Sequence, residues 1–228
     1  MYAARIVRAL LCVSATVAFA SSSARGLPVF TVAGTGTAAN INNYPAAEKP
    51  AFAIDGTPST KYLNFAKLNT GYLVTHTAGG TVTGITFATA NDAPERDPLT
   101  FSLYGSNTTS VTGTEAAGTN IDLASFTPIT LTQAIPGFAT DPGRNTLVAS
   151  VPIVNTTNYA SYLLVFPTVR NPATANSMQI GDAVLTGASG NITAASDPIL
   201  GGVFAVPEPA TITLFAFGAL ALARRRRD

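Results

Sequence analysis

Residues 85–104 read ITFATANDAPERDPLTFSLY. Ile85 and Phe87 alternate with Thr86 and Ala88; Leu99, Phe101 and Leu103 alternate with Thr100, Ser102 and Tyr104. Apolar residues at every second position send one face of an extended chain into a core, which is the period of a strand. Between the two runs, Asn91 to Pro98 concentrates prolines and charges, so the chain turns there. The pattern continues on both sides. Tyr72 to Thr77, Ile129 to Gln133, Thr146 to Val151, Tyr159 to Phe166 and Met178 to Leu185 read as further short strands. Tyr162 to Phe166 is apolar on both faces, which predicts a place in the centre of a sheet. From Leu27 to Thr186 only Pro45 to Phe52 offers a short helix, and no repeat of about 20 to 50 residues marks a solenoid or propeller. The expectation is all-β: an antiparallel sandwich.

The composition agrees. The chain has 228 residues, of which 46% are hydrophobic and 11% charged, with 19 Gly and 15 Pro. Of the 13 Lys and Arg, Arg5, Arg8 and Arg25 lie near the start and Arg224, Arg225, Arg226 and Arg227 at the finish. Six remain between, against nine carboxylates from Glu48 to Asp182, a net charge of −3. Nucleic acid is excluded as a partner, because phosphate binding needs clustered Lys and Arg. The single Cys, Cys12, lies in the first apolar run, so the domain has neither disulfides nor thiolate metal sites.

Both ends read as addresses. Arg5 and Arg8 precede the apolar run Ala9 to Ala20, and small residues follow, with cleavage sites after Ala20 or Ala24. This is the order of a secretory signal peptide, over residues 1–24. At the other end Val206-Pro207-Glu208-Pro209 is followed by apolar Ala210 to Ala223 and then four arginines. Fourteen residues make a helix of about 21 Å, short of a ~30 Å hydrocarbon core. The arginines stay on the cytoplasmic side, which puts the preceding chain across the membrane. Residues 206–228 resemble the PEP-CTERM sorting signal of Gram-negative bacteria, carried here by Pro207, Glu208, Pro209 and Arg224 to Arg227. The resemblance implies recognition by an exosortase and transient inner-membrane anchoring. Cleavage near the Pro-Glu-Pro triplet and delivery to the cell surface or extracellular matrix follow. Signal peptidase is the expected partner at the N-terminus. Residues 188–205, rich in Gly, Ser and Ala, read as a flexible linker between a domain at 28–187 and the sorting signal.

Three stretches of the middle carry a second resemblance. Ala53 to Tyr62 (AIDGTPSTKY) is similar to the early loop of discoidin-like, galactose-binding-fold domains. Phe87 to Asn107 (FATANDAPERDPLTFSLYGSN) resembles their mid-domain segment, and Tyr162 to Leu185 their closing hairpin. In order and spacing they span nearly the whole middle. The resemblance implies an eight-stranded jelly-roll β-sandwich, with a structural Ca²⁺ where the first loop meets the last strand. Such an ion takes carboxylate, hydroxyl and carbonyl oxygens, and Asp55, Thr60 and Asp182 match those positions. Asp182 stands where the family usually has Glu, and Tyr62 where it has Trp. The alternative is that Asp55 caps its own turn and Asp182 is a solvated strand-end charge. No other cofactor is expected.

The loop Asn91 to Pro98 supports three readings. Asn91, Asp92 and Arg96 hydrogen-bond sugar hydroxyls; or Arg96 pairs with a neighbouring carboxylate and braces the loop; or Glu95 and Asp97 act as acid and base. The third is disfavoured, because glycoside chemistry needs two carboxyls about 5–9.5 Å apart across a cleft. His76 is the only histidine, which excludes multi-histidine zinc sites; it reads as a ligand-binding group or a surface strand residue. Tyr44, Tyr72 and Tyr159 are candidate stacking platforms for a sugar ring. The expected function is non-catalytic binding of glycan or exopolysaccharide, in adhesion or matrix assembly. The alternatives are an inert structural matrix component or a polysaccharide-acting enzyme.

Overall fold

The computed structural model describes residues 27–37, 39–148 and 150–205. The expected signal peptide at 1–24 and the expected sorting signal at 206–228 lie outside them. Fifteen strands follow one another in these described residues: β1 (Val29–Val32), β2 (Gly34–Thr35), β3 (Asn43–Tyr44), β4 (Tyr62–Asn64), β5 (Thr70–Thr75), β6 (Val82–Ala88), β7 (Thr100–Ser106), β8 (Asn120–Asp122), β9 (Thr127–Ala134), β10 (Val151–Pro152), β11 (Ser161–Phe166), β12 (Met178–Ile180), β13 (Asp182–Gly187), β14 (Gly190–Asn191) and β15 (Ile199–Ala205). The only helical pieces among them are 3₁₀ turns at Pro50–Ala53, Pro94–Arg96 and Phe138–Thr140. The expected helix at Pro45 to Phe52 thus shrinks to one turn that starts at its proline, which lacks an N–H to donate. No described helix is long and apolar enough to cross a membrane.

Two antiparallel sheets form the sandwich, one with order β8-β1-β15-β5-β11-β7-β9 and one with order β10-β6-β13-β14. The alternation read from residues 85–104 joins them. Ile85 and Phe87 of β6 meet Phe101 and Leu103 of β7 in one buried cluster with Tyr72, Val74, Tyr162, Leu164 and Phe166. The Phe87 and Phe101 rings pack with centroids 5.1 Å apart, an arrangement worth more than its buried area alone. The Tyr72 hydroxyl donates to the Ala183 carbonyl and so ties the large sheet to the small one. β11 sits between β5 and β7 as its apolar sequence predicts: Leu163 and Val165 face a second cluster, with Phe30, Val32 and Leu200, on the opposite side. The stretch Met178 to Leu185 is two strands. Gly181 divides them, and a Cβ there would lie 2.5 Å from the Thr89 carbonyl oxygen.

One expectation is overturned. Residues 188–205 are no linker, and the domain does not end at 187. They supply β14 and β15, and β15 inserts between β1 and β5 with pairing on both flanks. Leu200 is buried and Ile199 packs on the core. The Gly-Gly pair that resembles a hinge is a packing requirement, because β15 runs too close to its neighbours for side chains. A Cβ on Gly202 would come 2.4 Å from the Thr31 carbonyl oxygen and 2.6 Å from the Phe30 ring. Replacing Gly202 by Val is therefore expected to destabilise the protein by about 1–3 kcal/mol, as overpacked cores do. Urea unfolding followed by circular dichroism measures this; a free linker would tolerate the change at no cost.

Candidate functional site

The 3₁₀ turn at Pro50–Ala53 delivers the chain to Asp55 and Gly56, where Gly56 takes φ +72. Asp55 holds its own turn: Oδ1 accepts Thr57 N–H at 2.9 Å and Oδ2 lies 2.8 Å from Thr60 Oγ1. Asp182, which opens β13 and is buried, accepts the Gly56 N–H at 3.1 Å. The first loop and the closing strand therefore meet, as the sequence resemblance implies. Burial, and then the nearby Asp55 carboxylate, push the Asp182 carboxyl up to about 7, against two backbone N–H bonds that pull it down. Neither acid makes an ion pair among the described residues. Two adjacent carboxyls, one of them buried, fit a cation in charge. Their number is small, since no three His, Cys, Asp or Glu side chains gather among the described residues. Carbonyls and water would have to complete a Ca²⁺ shell of six to eight oxygens. Tyr62 is fully buried; its hydroxyl accepts Asn64 Nδ2–H at 2.9 Å.

The loop 91–98 is braced, though not by Arg96. Asp97, with no side-chain exposure, is gripped by two arginines from later loops. Arg144 makes a fork, Nη1 to Oδ1 at 3.1 Å and Nη2 to Oδ2 at 2.6 Å, and Arg170 adds a contact at 3.3 Å. Asp141 closes the group, 2.6 Å from Arg144 and 3.7 Å from Arg170. Such forked pairs are stronger and more directional than point contacts. Burial still outweighs both arginines and raises the Asp97 carboxyl above the usual range. Asp97 is thus a structural anion, and the acid–base reading of Glu95 with Asp97 fails. On the other flank the almost buried Lys61 reaches Asp92 at 2.7 Å and Glu48 at 3.2 Å. Gln179 accepts from Lys61 and donates to the carbonyls of Asp92 and Ala93, which fixes Ala93 at φ +42. Sequence reasoning did not pair Lys61, Gln179, Arg144 or Arg170 with this loop, because the four belong to four separate segments and only the fold brings them to it.

Arg96 itself forms no ion pair among the described residues, and its Nε is buried without a partner. Its charge helps Lys61 hold the Asp92 carboxyl below the usual range, against partial burial. Asn91 and Asp92 are exposed beside it.

His76 belongs elsewhere. It follows β5, and β6 carries the chain about 20 Å away, at ~3.3 Å per residue, before the loop 91–98 begins. The structure therefore separates His76 from Asn91, Asp92 and Arg96. Nor is it a surface residue: it is 7% exposed, with Nδ1 3.4 Å from Asp197. Asp197 accepts N–H bonds from Thr77 and Thr193 and hydroxyl bonds from Thr77 and Ser196, pinning the turn before β15 to the end of β5.

Of the three candidate platforms, Tyr72 is fully buried and the Tyr159 ring lies against Gly105. Tyr44 lines a cavity of about 240 Å³ with Lys49, Glu115 and part of β15. A second, more open depression of about 530 Å³ is lined by Thr31, Thr35, Asn40, Ile41, Asn42 and Asn43.

The family model of the PEP-CTERM protein-sorting motif matches residues 205–227, one residue upstream of the expected span, and the chain carries that motif. No curated protein matches the chain. Several solved structures are similar to it. The CBM62 of Clostridium thermocellum Xyl5A is 17% identical, covering 70% of this chain and 92% of its own, with a TM-score of 0.42. CBM32-1 from a family 31 glycoside hydrolase of Clostridium perfringens is 9% identical, over 72% and 89%, at 0.40. CpGH89CBM32-5 of the same organism, in complex with GalNAc-beta-1,3-galactose, is 12% identical, over 67% and 81%, at 0.38.

Two measurements check the site. Arg144→Ala leaves the buried Asp97 with Arg170 alone and is expected to cost about 3 kcal/mol, whereas Arg96→Ala costs under ~0.5 kcal/mol, both read from urea unfolding. In chelator, Asp182 binds its proton more tightly folded than unfolded, so its contribution is full below about pH 4 and lost as pH rises through about 7. The melting temperature of chelated protein is therefore expected to rise, relative to that of Asp182→Asn, as pH falls from about 7 to 4.

Proposed function

We propose that this is an exported protein whose sandwich binds glycan or exopolysaccharide without catalysis. An exosortase acting near Pro207-Glu208-Pro209 sorts it to the cell surface or extracellular matrix of a Gram-negative bacterium. Signal peptidase removes the N-terminal segment first, and the C-terminal apolar segment holds the chain at the inner membrane until processing. The sorting motif at 205–227 supports the destination.

One observation carries the binding reading. Arg96 keeps a guanidinium with no ion-pair partner among the described residues, beside exposed Asn91 and Asp92, on a loop that other residues hold rigid. A planar donor fork, an amide and a carboxylate, carried on a loop that is braced before the ligand arrives, suit the vicinal hydroxyls of a sugar. Adhesion or matrix assembly is the corresponding role. Ca²⁺ takes a structural part at the first loop: Asp55 and Asp182 hold the ion, Thr60 orients Asp55, and the bound charge ties the first loop to the last strand.

Mature exported protein applied to a glycan array is expected to retain a defined set of glycans, and Arg96→Ala to lose at least tenfold in affinity for them at an unchanged melting temperature. A blank array, with the protein still incorporated into the matrix, would leave a structural component instead. Calorimetric titration of chelator-stripped protein with Ca²⁺ is expected to release heat and raise the melting temperature; Asp182→Asn is expected to abolish both.

A further inference from the structure

The cavity beside Tyr44 is assembled from five separate segments: the end of β1 at Val32 with the following Ala33, β3 through Tyr44, the turn at Lys49 to Ala51, the loop carrying Gly113 and Glu115, and β15 through Ile199, Leu200 and Gly201. Its floor is the strand that pairs on both flanks, so it does not deform easily. The turn is locked against that floor, since a Cβ on Gly201 would lie 2.5 Å from both Pro50 Cγ and the Tyr62 hydroxyl. The Tyr44 ring is set edge-on against Tyr62, with centroids 6.5 Å apart.

Two residues of opposite charge, Lys49 and Glu115, line this cavity and form no ion pair with each other. Glu115 accepts the backbone N–H groups of Thr112 and Gly113, at 2.8 and 3.0 Å, and these bonds outweigh partial burial and hold its carboxyl below the usual range. Each oxygen keeps a lone pair for another donor. Lys49 is exposed, with Nζ 5.2 Å from the Phe52 ring centre. The adjacent carboxylate, Glu48, is already taken by Lys61, and Lys49 makes no ion pair among the described residues.

We propose that this cavity is a second carbohydrate subsite, which takes one carboxylated sugar residue of the uronic-acid type. The proposal rests on the glycan-binding reading and adds a location and a ligand class to it. At about 240 Å³ the cavity is smaller than the ~300–1,000 Å³ of pockets for drug-sized ligands and suits one ring. The aliphatic face of a pyranose packs on Tyr44, its carboxylate meets Lys49, and its hydroxyls donate to Glu115. A phosphate group would satisfy Lys49 equally, but it brings up to two negative charges and few donors to the ionised Glu115. A neutral sugar leaves Lys49 without a counter-charge.

The test titrates the mature protein by calorimetry with a glucuronic-acid disaccharide and with its neutral glucose counterpart, at low and high salt. The uronate is expected to bind, at least tenfold more tightly than the neutral sugar, and more weakly as salt rises. Lys49→Ala, at an exposed position, is expected to lose at least tenfold for the uronate and nothing for the neutral sugar. Glu115→Gln and Tyr44→Ala weaken both sugars, and Arg96→Ala leaves uronate binding intact. Equal binding of the two sugars, or full uronate affinity in Lys49→Ala with an unchanged melting temperature, would overturn the proposal. If array glycans bind through Arg96 while the uronate does not, the subsite fails and the glycan-binding reading stands. If nothing binds at all, both fail.

Discussion

The backbone pairing of β15 is the constraint on which the rest depends. Among the described residues β1 pairs as a strand with β15 and β8, so in the strand order β1 and β8 join β5 and the rest of the large sheet by way of β15. The same strand floors the Tyr44 cavity and supports the turn at Pro50–Ala53, from which the Asp55 loop departs. The first and last strands of the domain lie side by side, with Val29 opposite Ala205. The matched sorting motif begins at the residue where this strand ends.

The distribution of charge is the second organising feature. The domain has few ionisable groups, and several of them sit in loops whose partners are distant in sequence: Asp97 with Arg144 and Arg170, Lys61 with Glu48 and Asp92, Asp197 with His76. Burying ions is costly unless they are paired and hydrogen-bonded. Asp97 and Lys61 are paired in this way, which converts long connections into rigid rims. Rigid rims carry recognition at low entropic cost. Arg96, Lys49 and Lys67 are the cations that the fold leaves without a carboxylate among the described residues, and Lys67 donates instead to the Pro172 carbonyl.

The parts of the fold governed by period-two burial were legible in the sequence. Ile85, Phe87, Phe101 and Leu103 point inward as their alternation requires, and Tyr162 to Phe166 is central because both of its faces are apolar. β15 was not legible, because a glycine pair has the same composition whether it gives freedom or permits close approach. Only the nearness of Thr31 and Phe30 to Gly202 distinguishes the two cases. The site divides in the same way. The meeting of Asp55 with Asp182 followed from a family resemblance in order and spacing, whereas the arginine pair on Asp97 depends on which loops converge. His76 was misplaced for a related reason: its partner, Asp197, stood in the stretch read as a linker.

Hydrogen exchange of the mature protein, resolved to residues 199–205, tests the central claim most directly. If β15 is an inner strand, its paired amides exchange as slowly as those of β5 and β11, at rates set by unfolding of the whole domain. Rapid exchange through Ile199 to Ala205 alongside a protected β5 would contradict the account, returning this segment to a free tether and removing the floor of the Tyr44 cavity.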